Sequence, residues 1–121
     1  MKLLISTILT TFVSLVSFSA SANFEATAYG LSPRGVAIEI TNNGDTVTIT
    51  DASINNGNCT TTRFLTKEEN RRRFTSGRTI PTWPFLLKSG DTLKVGNSHT
   101  NCHVRSLRLT TDLNETIDFN W

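Results

Sequence analysis

Apolar and polar residues alternate along most of the chain after the first two dozen positions, and little of it repeats with the spacing of a helix. Val36, Ile38 and Ile40 form one apolar row, while Ala37 and Glu39 between them face the other way. Because a strand places successive side chains on opposite faces, this period of two indicates β-strands. The pattern predicts an all-β fold.

Two turn signals divide these strands. Residues 42–45 read Asn-Asn-Gly-Asp, which predicts a hairpin whose flanking strands pair antiparallel. Residues 89–91 read Ser-Gly-Asp and lead into another alternating stretch. The segments 43–49 and 89–95 are near repeats: each has a glycine for the bend, an aspartate for local hydrogen bonds and then alternating apolar residues. We therefore expect the same kind of turn twice.

Residues 67–82 break the alternation. They contain a charge cluster, three consecutive arginines and a Ser-Gly pair, and prolines close the segment. We predict a long connection here, with a helical turn at residues 67–70. The threonine-rich residues 59–65 before it are predicted to form a short strand.

The last third of the chain is again alternating. Its phase changes between residues 102–104 and residues 107–109, which predicts a β-bulge near residues 105–106. The final strand places the apolar residues of 117–121 on one face. Seven or eight short strands at this spacing predict a sandwich or a small barrel, and we favour the sandwich.

The N-terminus has the layout of a signal peptide. Lys2 precedes the apolar and small hydroxyl residues 3–18, and residues 19–22 read Ser-Ala-Ser-Ala, a small-residue cleavage site. A membrane anchor is disfavoured by the repeated hydroxyl residues and by the absence of a charged cluster after the run. We interpret residues 1–22 as a cleaved signal peptide and residues 23–121 as one domain, exported to the periplasm or beyond.

Cys59 and Cys102 are the two cysteines of the chain. In an oxidising compartment, an even pair in a small exported domain predicts a disulfide. Closing this loop would stabilise the fold by about 4 kcal/mol in the chain-entropy model. A redox role is disfavoured because the sequence has no Cys-x-x-Cys spacing.

Composition and motifs argue against nucleic-acid binding and against catalysis. Without residues 1–22, the chain keeps 11 basic and 10 acidic residues, a net charge of +1. It contains no serine-nucleophile motif and no phosphate loop, and most carboxylates fall in turns. His99 and His103 would lie roughly 13 Å apart on a strand, too far to share a zinc ion. We expect a protein that is not an enzyme and that holds no metal or cofactor.

A binding surface is suggested by the middle connection, where guanidinium groups and aromatic rings occur together. Both residue types are enriched at interface cores. Alternatively, the segment is a solvated loop, with Trp83 packed into the sandwich. The candidate partner-binding residues are Arg71, Arg72, Arg73, Phe74, Arg78 and Trp83.

Sheet edges provide a second hypothesis, because exposed edges support dimerisation, strand exchange or fibre assembly. Residues 24–29 are separated from the next strand by the Gly- and Pro-containing residues 30–35. We expect a homodimer, with this N-terminal segment as the one that would exchange.

Two phrases resemble a known class of proteins. Residues 40–46 (Ile-Thr-Asn-Asn-Gly-Asp-Thr) and 87–92 (Leu-Lys-Ser-Gly-Asp-Thr) are similar to segments of the small exported immunoglobulin-like or fibronectin type III-like domains of Gram-negative bacteria. Within that class, the signal peptide, the β domain of about a hundred residues, the two cysteines and the aromatic C-terminal strand resemble the interleukin receptor mimic family of pathogenic Escherichia coli.

The resemblance implies a fibronectin type III-like sandwich, a strand-exchanged dimer and binding to host cytokine receptors as an immunomodulator. It assigns a role to no individual residue. Two alternatives stay open: a surface or fimbrial assembly subunit that uses strand addition, and a periplasmic inhibitor of a host hydrolase such as lysozyme.

Overall fold

The computed structural model describes residues 23–77 and 79–121. The predicted signal peptide, residues 1–22, lies outside them. The described residues form eight strands, one helix and the short 3-10 helix Asn55–Gly57. The helix α1 is Lys67–Ser76, and the strands are β1 (Phe24–Gly30), β2 (Val36–Asn42), β3 (Val47–Ile54), β4 (Thr62–Arg63), β5 (Phe85–Leu87), β6 (Thr92–Asn97), β7 (Ser106–Thr111) and β8 (Thr116–Asn120).

The strands form two four-stranded antiparallel sheets, with orders β1-β2-β6-β4 and β5-β3-β7-β8. The first order corresponds to the A-B-E-D sheet of an immunoglobulin-type domain, and β3-β7-β8 corresponds to its C-F-G sheet. The strand β5 is an addition at the free side of β3. The predicted sandwich of short antiparallel strands is confirmed.

The core lies between the two sheets. Ile38 and Ile40 point into it from β2, two residues apart as the alternation requires, and both are fully buried. Ile49 and Leu109 meet them from the second sheet. Burying these aliphatic side chains is the main stabilisation of the sandwich, at about 25 cal/mol for each Å² of apolar surface removed from water.

The predicted hairpin at residues 42–45 is wrong, because β2 and β3 belong to different sheets. The turn carries the chain from one sheet to the other, and the buried Asn42 side chain directs it. Its Nδ2 donates to the carbonyl oxygens of Asp45 (2.8 Å) and Leu87 (3.0 Å), and its Oδ1 accepts from Gly44 N (2.8 Å). A buried amide with these partners fixes the crossing between sheets.

The near-repeat turn at residues 89–91 also joins two sheets, because β5 and β6 lie on opposite sides of the sandwich. The two turns bond to each other: Gly90 N donates to Asn42 O (2.6 Å) and Asn42 N donates to Asp91 O (3.0 Å). Two similar sequences thus make two similar inter-sheet connections at one end of the sandwich.

Two other strand predictions need correction. Residues 102–105 are not a strand, β7 begins at Ser106, and the phase change marks that start rather than a bulge. The Oδ1 of Asn55 accepts from Arg105 N (2.7 Å) and Ser106 N (3.0 Å), so a side chain holds this segment in place of a strand partner. The register irregularity lies in β3, between Ile49 and Asp51. Of the predicted strand 59–65, only β4 is regular.

The middle connection contains more helix than predicted. α1 begins at Lys67 as expected but continues to Ser76, six residues beyond the predicted turn. A capping box starts it, with Thr66 as N-cap and Glu69 at the third helical position, and Gly77 ends it in the left-handed conformation (φ 69°). Within the described residues, no helix has the length and apolar character needed to cross a membrane.

Candidate protein-binding surface

Arg63 on β4 holds the start of α1 against the sandwich. Its side chain is almost fully buried, and its guanidinium makes a two-pronged ion pair with Glu69 in the first turn of α1. Nη1 donates to Oε1 at 2.7 Å and Nη2 donates to Oε2 at 2.9 Å. Such parallel hydrogen bonds fix distance and orientation together. The pair therefore positions the start of the helix against the first sheet.

The remaining donors of Arg63 bind backbone carbonyls. Nε donates to Thr82 O (2.6 Å), Nη2 to Pro81 O (3.0 Å) and Nη1 to Phe64 O (3.4 Å). All five N–H groups of the guanidinium are thus used. Its flat side also lies over the Phe85 ring, 4.4 Å from the centroid. One side chain joins β4, the helix and the segment that follows the helix.

Glu69 has a lowered pKa. The hydrogen bonds from Arg63 are the largest cause and outweigh burial, which acts in the opposite direction. Thr66 N also donates to Oε1 of Glu69 (2.9 Å), while Glu69 N donates to Thr66 Oγ1 (3.1 Å). The ionised carboxylate therefore serves two structural purposes at once: it caps the helix and pairs with Arg63.

The rest of α1 stands free of the sandwich. Every residue from Arg71 to Ser76 is exposed, and we call this segment the helix tip. Phe74 is 82% exposed, and the Arg73 guanidinium lies 5.7 Å from the centroid of its ring. Since consecutive helical residues are rotated by about 100°, the three arginines point in different directions around the tip. The tip presents one exposed aromatic ring with the Arg73 guanidinium close to it, and two further cations on the same stretch of helix.

The structure separates the predicted site residues into two groups. Arg71, Arg72, Arg73 and Phe74 come together on the helix tip. Trp83 does not join them, because its half-buried ring packs against the core between the sheets. Arg78 lies outside the described residues.

The sequence interpretation missed Arg63 and Glu69, which hold the tip in place. The pattern Thr66-x-x-Glu69 was the available signal, since Ser or Thr followed three residues later by Glu marks a helix start. No comparable signal marked Arg63, because its pairing with Glu69 and its bonds to the carbonyl groups of residues 81 and 82 arise only in the folded chain.

The predicted disulfide between Cys59 and Cys102 is present, with a Cα–Cα distance of 6.3 Å. Cys59 follows β3 and precedes β4, and Cys102 follows β6 and precedes β7. Each cysteine thus lies in a connection between the two sheets. The disulfide joins these two connections covalently. The two turns around Asn42 and Gly90 are joined instead by backbone hydrogen bonds.

The histidine, cysteine and carboxylate side chains do not form a metal-binding group of three or more anywhere in residues 23–77 and 79–121. The chain matches no protein-family model, no curated protein and no solved structure at the level that marks significant similarity. The geometry of the helix tip is therefore the main ground for a functional proposal.

Proposed function

We propose that this chain is an exported, non-catalytic binding module that docks the tip of α1 on a protein partner. The observation that carries the proposal is the contrast within one helix. Its first turn is fastened by a buried ion pair, while Phe74 beyond it is 82% exposed. A large exposed ring on a fixed support loses little conformational freedom on binding, which favours affinity.

The residue types of the tip are those of interface hot spots. Arginine and aromatic side chains contribute most when they enter a desolvated pocket on the partner. Arg71, Arg72 and Arg73 make the tip locally cationic, although the mature chain is nearly neutral. The complementary surface is an apolar pocket for Phe74 with acidic residues around it.

The family resemblance suggests the identity of this partner. It implies that the partner is the ectodomain of a host cytokine receptor and that the protein is an immunomodulator. The disulfide between Cys59 and Cys102 supports export, because such bonds persist in oxidising compartments such as the periplasm and the extracellular space.

Surface plasmon resonance with oxidised protein of residues 23–121 tests this function. Immobilised cytokine-receptor ectodomains and lysozyme form the panel. The variant Arg71→Glu/Arg72→Glu/Arg73→Glu is compared with Arg34→Glu/Lys88→Glu/Arg105→Glu, which makes the same charge change at three other exposed cations. We expect saturable binding to a receptor that the first variant loses and the second retains.

Three results would count against the proposal. Equal loss in both variants would mean that net charge, rather than the tip, controls binding. Binding to lysozyme alone would favour the hydrolase-inhibitor alternative. Absence of binding to every receptor would remove the cytokine-receptor assignment.

A second candidate function is strand exchange or strand addition through β1. Among the described residues this strand pairs only with β2, and its inward residues Phe24, Ala26 and Ala28 are only partly buried. Exchange of β1 between two chains would give a closed homodimer, whereas successive addition would give the fibre of an assembly subunit. Light scattering over a wide concentration range distinguishes these results, and a monomer throughout would exclude both.

A further inference from the structure

The disulfide end of the sandwich has two cavities that share residues 101–103. One has a volume of about 330 Å³ and is lined by asparagine and threonine side chains together with the disulfide. The other, of about 660 Å³, includes Tyr29 and Trp121 in its lining. Both volumes lie in the range of small-molecule sites, which is about 300–1,000 Å³, and both features are open to solvent, the larger one widely so. We call the first the amide cavity and the second the aromatic cavity.

Asn97 lines the amide cavity and is only 6% exposed. Its Oδ1 is occupied, since it accepts from His99 N (2.7 Å) and Thr100 N (3.1 Å). These two bonds fix which end of the amide is the oxygen. The Nδ2 group, by contrast, has no hydrogen-bond partner within the described residues. A buried donor without a partner costs free energy, so a group that accepts from it is expected in the cavity.

Asn101 repeats this arrangement at the border of the two cavities. Its Oδ1 accepts from Gly35 N (2.9 Å), which leaves its NH₂ group available. Two asparagines therefore use their oxygens to hold backbone and present their NH₂ groups as oriented donors. Donors that are fixed before binding lose little entropy when a ligand arrives.

The charge of the two cavities limits the kind of ligand. Neither lining contains an Asp, Glu, Lys or Arg residue, and the one ionisable side chain common to both is His103. The exposed Asn58, Thr60 and Thr100 add further amide and hydroxyl groups to the amide cavity. Neutral donors and acceptors of this kind match a ligand rich in hydroxyl groups rather than an anion or a cation.

Trp121 provides the apolar complement. The indole is 50% exposed and, like Asn101, lines the aromatic cavity. A flat aromatic side chain with a polar edge suits a ligand that has one apolar face and a polar rim.

From these observations we propose that the disulfide end is a binding site for a neutral saccharide. Sugar hydroxyls accept hydrogen bonds from the NH₂ groups of Asn97 and Asn101, and the C–H face of a ring lies against the Trp121 indole. This site is built by residues other than those of the helix tip, so it stands or falls independently of the proposed protein binding.

Nuclear magnetic resonance titration of ¹⁵N-labelled protein of residues 23–121 tests the site. The probes are the methyl glycosides of glucose, galactose, mannose and N-acetylglucosamine, with a sialoside as the anionic comparison. We expect saturable shifts of the Asn97 and Asn101 side-chain NH₂ signals and the Trp121 indole N–H signal with a neutral glycoside. Absence of shifts at tens of millimolar, or shifts with the sialoside alone, would overturn the proposal.

Asn97→Asp is the first variant to make, because it keeps an oxygen for the turn, replaces the NH₂ donor by a second oxygen and adds one negative charge, and the control below adds the same charge. We expect it to weaken saccharide binding by about tenfold or more. Asn56→Asp makes the same chemical change at an exposed asparagine outside both cavities and should bind normally. Should Asn97→Asp lower the melting temperature, Asn101→Asp provides a second test; unchanged binding in the folded variant would contradict the assignment.

Discussion

Arg63 and the arginines of the helix tip are the same residue type in opposite circumstances. Arg63 is 3% exposed and all five of its N–H donors are bonded, to Glu69 and to three backbone carbonyls. Arg71, Arg72 and Arg73 are exposed, and within the described residues the one contact of their guanidinium groups is that of Arg73 with the Phe74 ring. The first arginine maintains structure, and the other three are available to a partner.

The comparison shows that clustering in sequence is a poor guide to structural importance. The triple arginine is conspicuous in the sequence but contributes little to packing, whereas the isolated Arg63 joins three segments. The difference lies in how the guanidinium donors are satisfied. A buried guanidinium needs a protein acceptor for each N–H group, whereas an exposed one donates to water.

The largest effect on stability is expected from breaking the Arg63–Glu69 ion pair. Glu69→Ala leaves the buried Arg63 charge without its partner and removes the helix cap, so the free energy of unfolding should fall by about 3–5 kcal/mol. Glu68→Ala removes an exposed carboxylate from the same turn and should change stability by less than about 0.5 kcal/mol. Urea denaturation measures both. A similar small loss in the two variants would refute the structural role of the ion pair.

Lowering the pH should weaken the Arg63–Glu69 ion pair. Because the folded-state pKa of Glu69 lies below its ordinary value of 4.5, the ion pair stabilises fully above that pH and its contribution is lost as pH falls through the folded-state pKa. Glu69→Gln lacks the titrating group. The stability gap between wild type and this variant should therefore narrow in acid, and a constant gap across the pH series would contradict the assignment.

A smaller loss is expected from the capping box. Thr66→Ala removes the hydroxyl that accepts from Glu69 N but keeps the Arg63–Glu69 pair, so it should cost about 1 kcal/mol. Thr79→Ala, an exposed threonine after the helix, serves as the control. Thermal unfolding gives the comparison, and equal melting temperatures of the two variants would show that the cap is dispensable.

The smallest effect on stability is expected at the tip. Arg72→Ala removes an exposed side chain whose guanidinium has no hydrogen-bond partner among the described residues. The free energy of unfolding should therefore change by less than about 0.5 kcal/mol. Urea denaturation of Arg72→Ala and Glu69→Ala, measured side by side, compares the free energies of unfolding of the two variants. A loss above 1 kcal/mol would mean that the tip packs against the domain.

The alternating pattern was enough to predict the fold class, because the period of two follows directly from strand geometry. It was not enough to predict which strands pair. An Asn-Gly turn specifies a bend, but whether the next strand stays in the same sheet was decided by the buried amide of Asn42 and its distant partner Leu87. The Cys59–Cys102 disulfide was predictable from the single pair of cysteines together with the signal-peptide layout that implies an oxidising compartment.

The candidate site was predictable only in part. The triple arginine and Phe74 were visible in the sequence, and the structure places them on one helix tip. The length of that helix was underestimated, because its apolar side is almost absent and only the capping pattern marked its start. Arg63 was unpredictable, since its role depends on carbonyl groups of residues 81 and 82 that approach it only in the folded chain.

The central claim is that the helix tip, and Phe74 above all, is the protein-binding surface. Its most direct test compares Phe74→Ala with Leu113→Ala for binding to the cytokine-receptor panel, since Leu113 is another apolar side chain that is 73% exposed. We predict that Phe74→Ala weakens receptor binding by about tenfold or more while Leu113→Ala has no effect. Receptor binding that is unchanged in Phe74→Ala would contradict the claim.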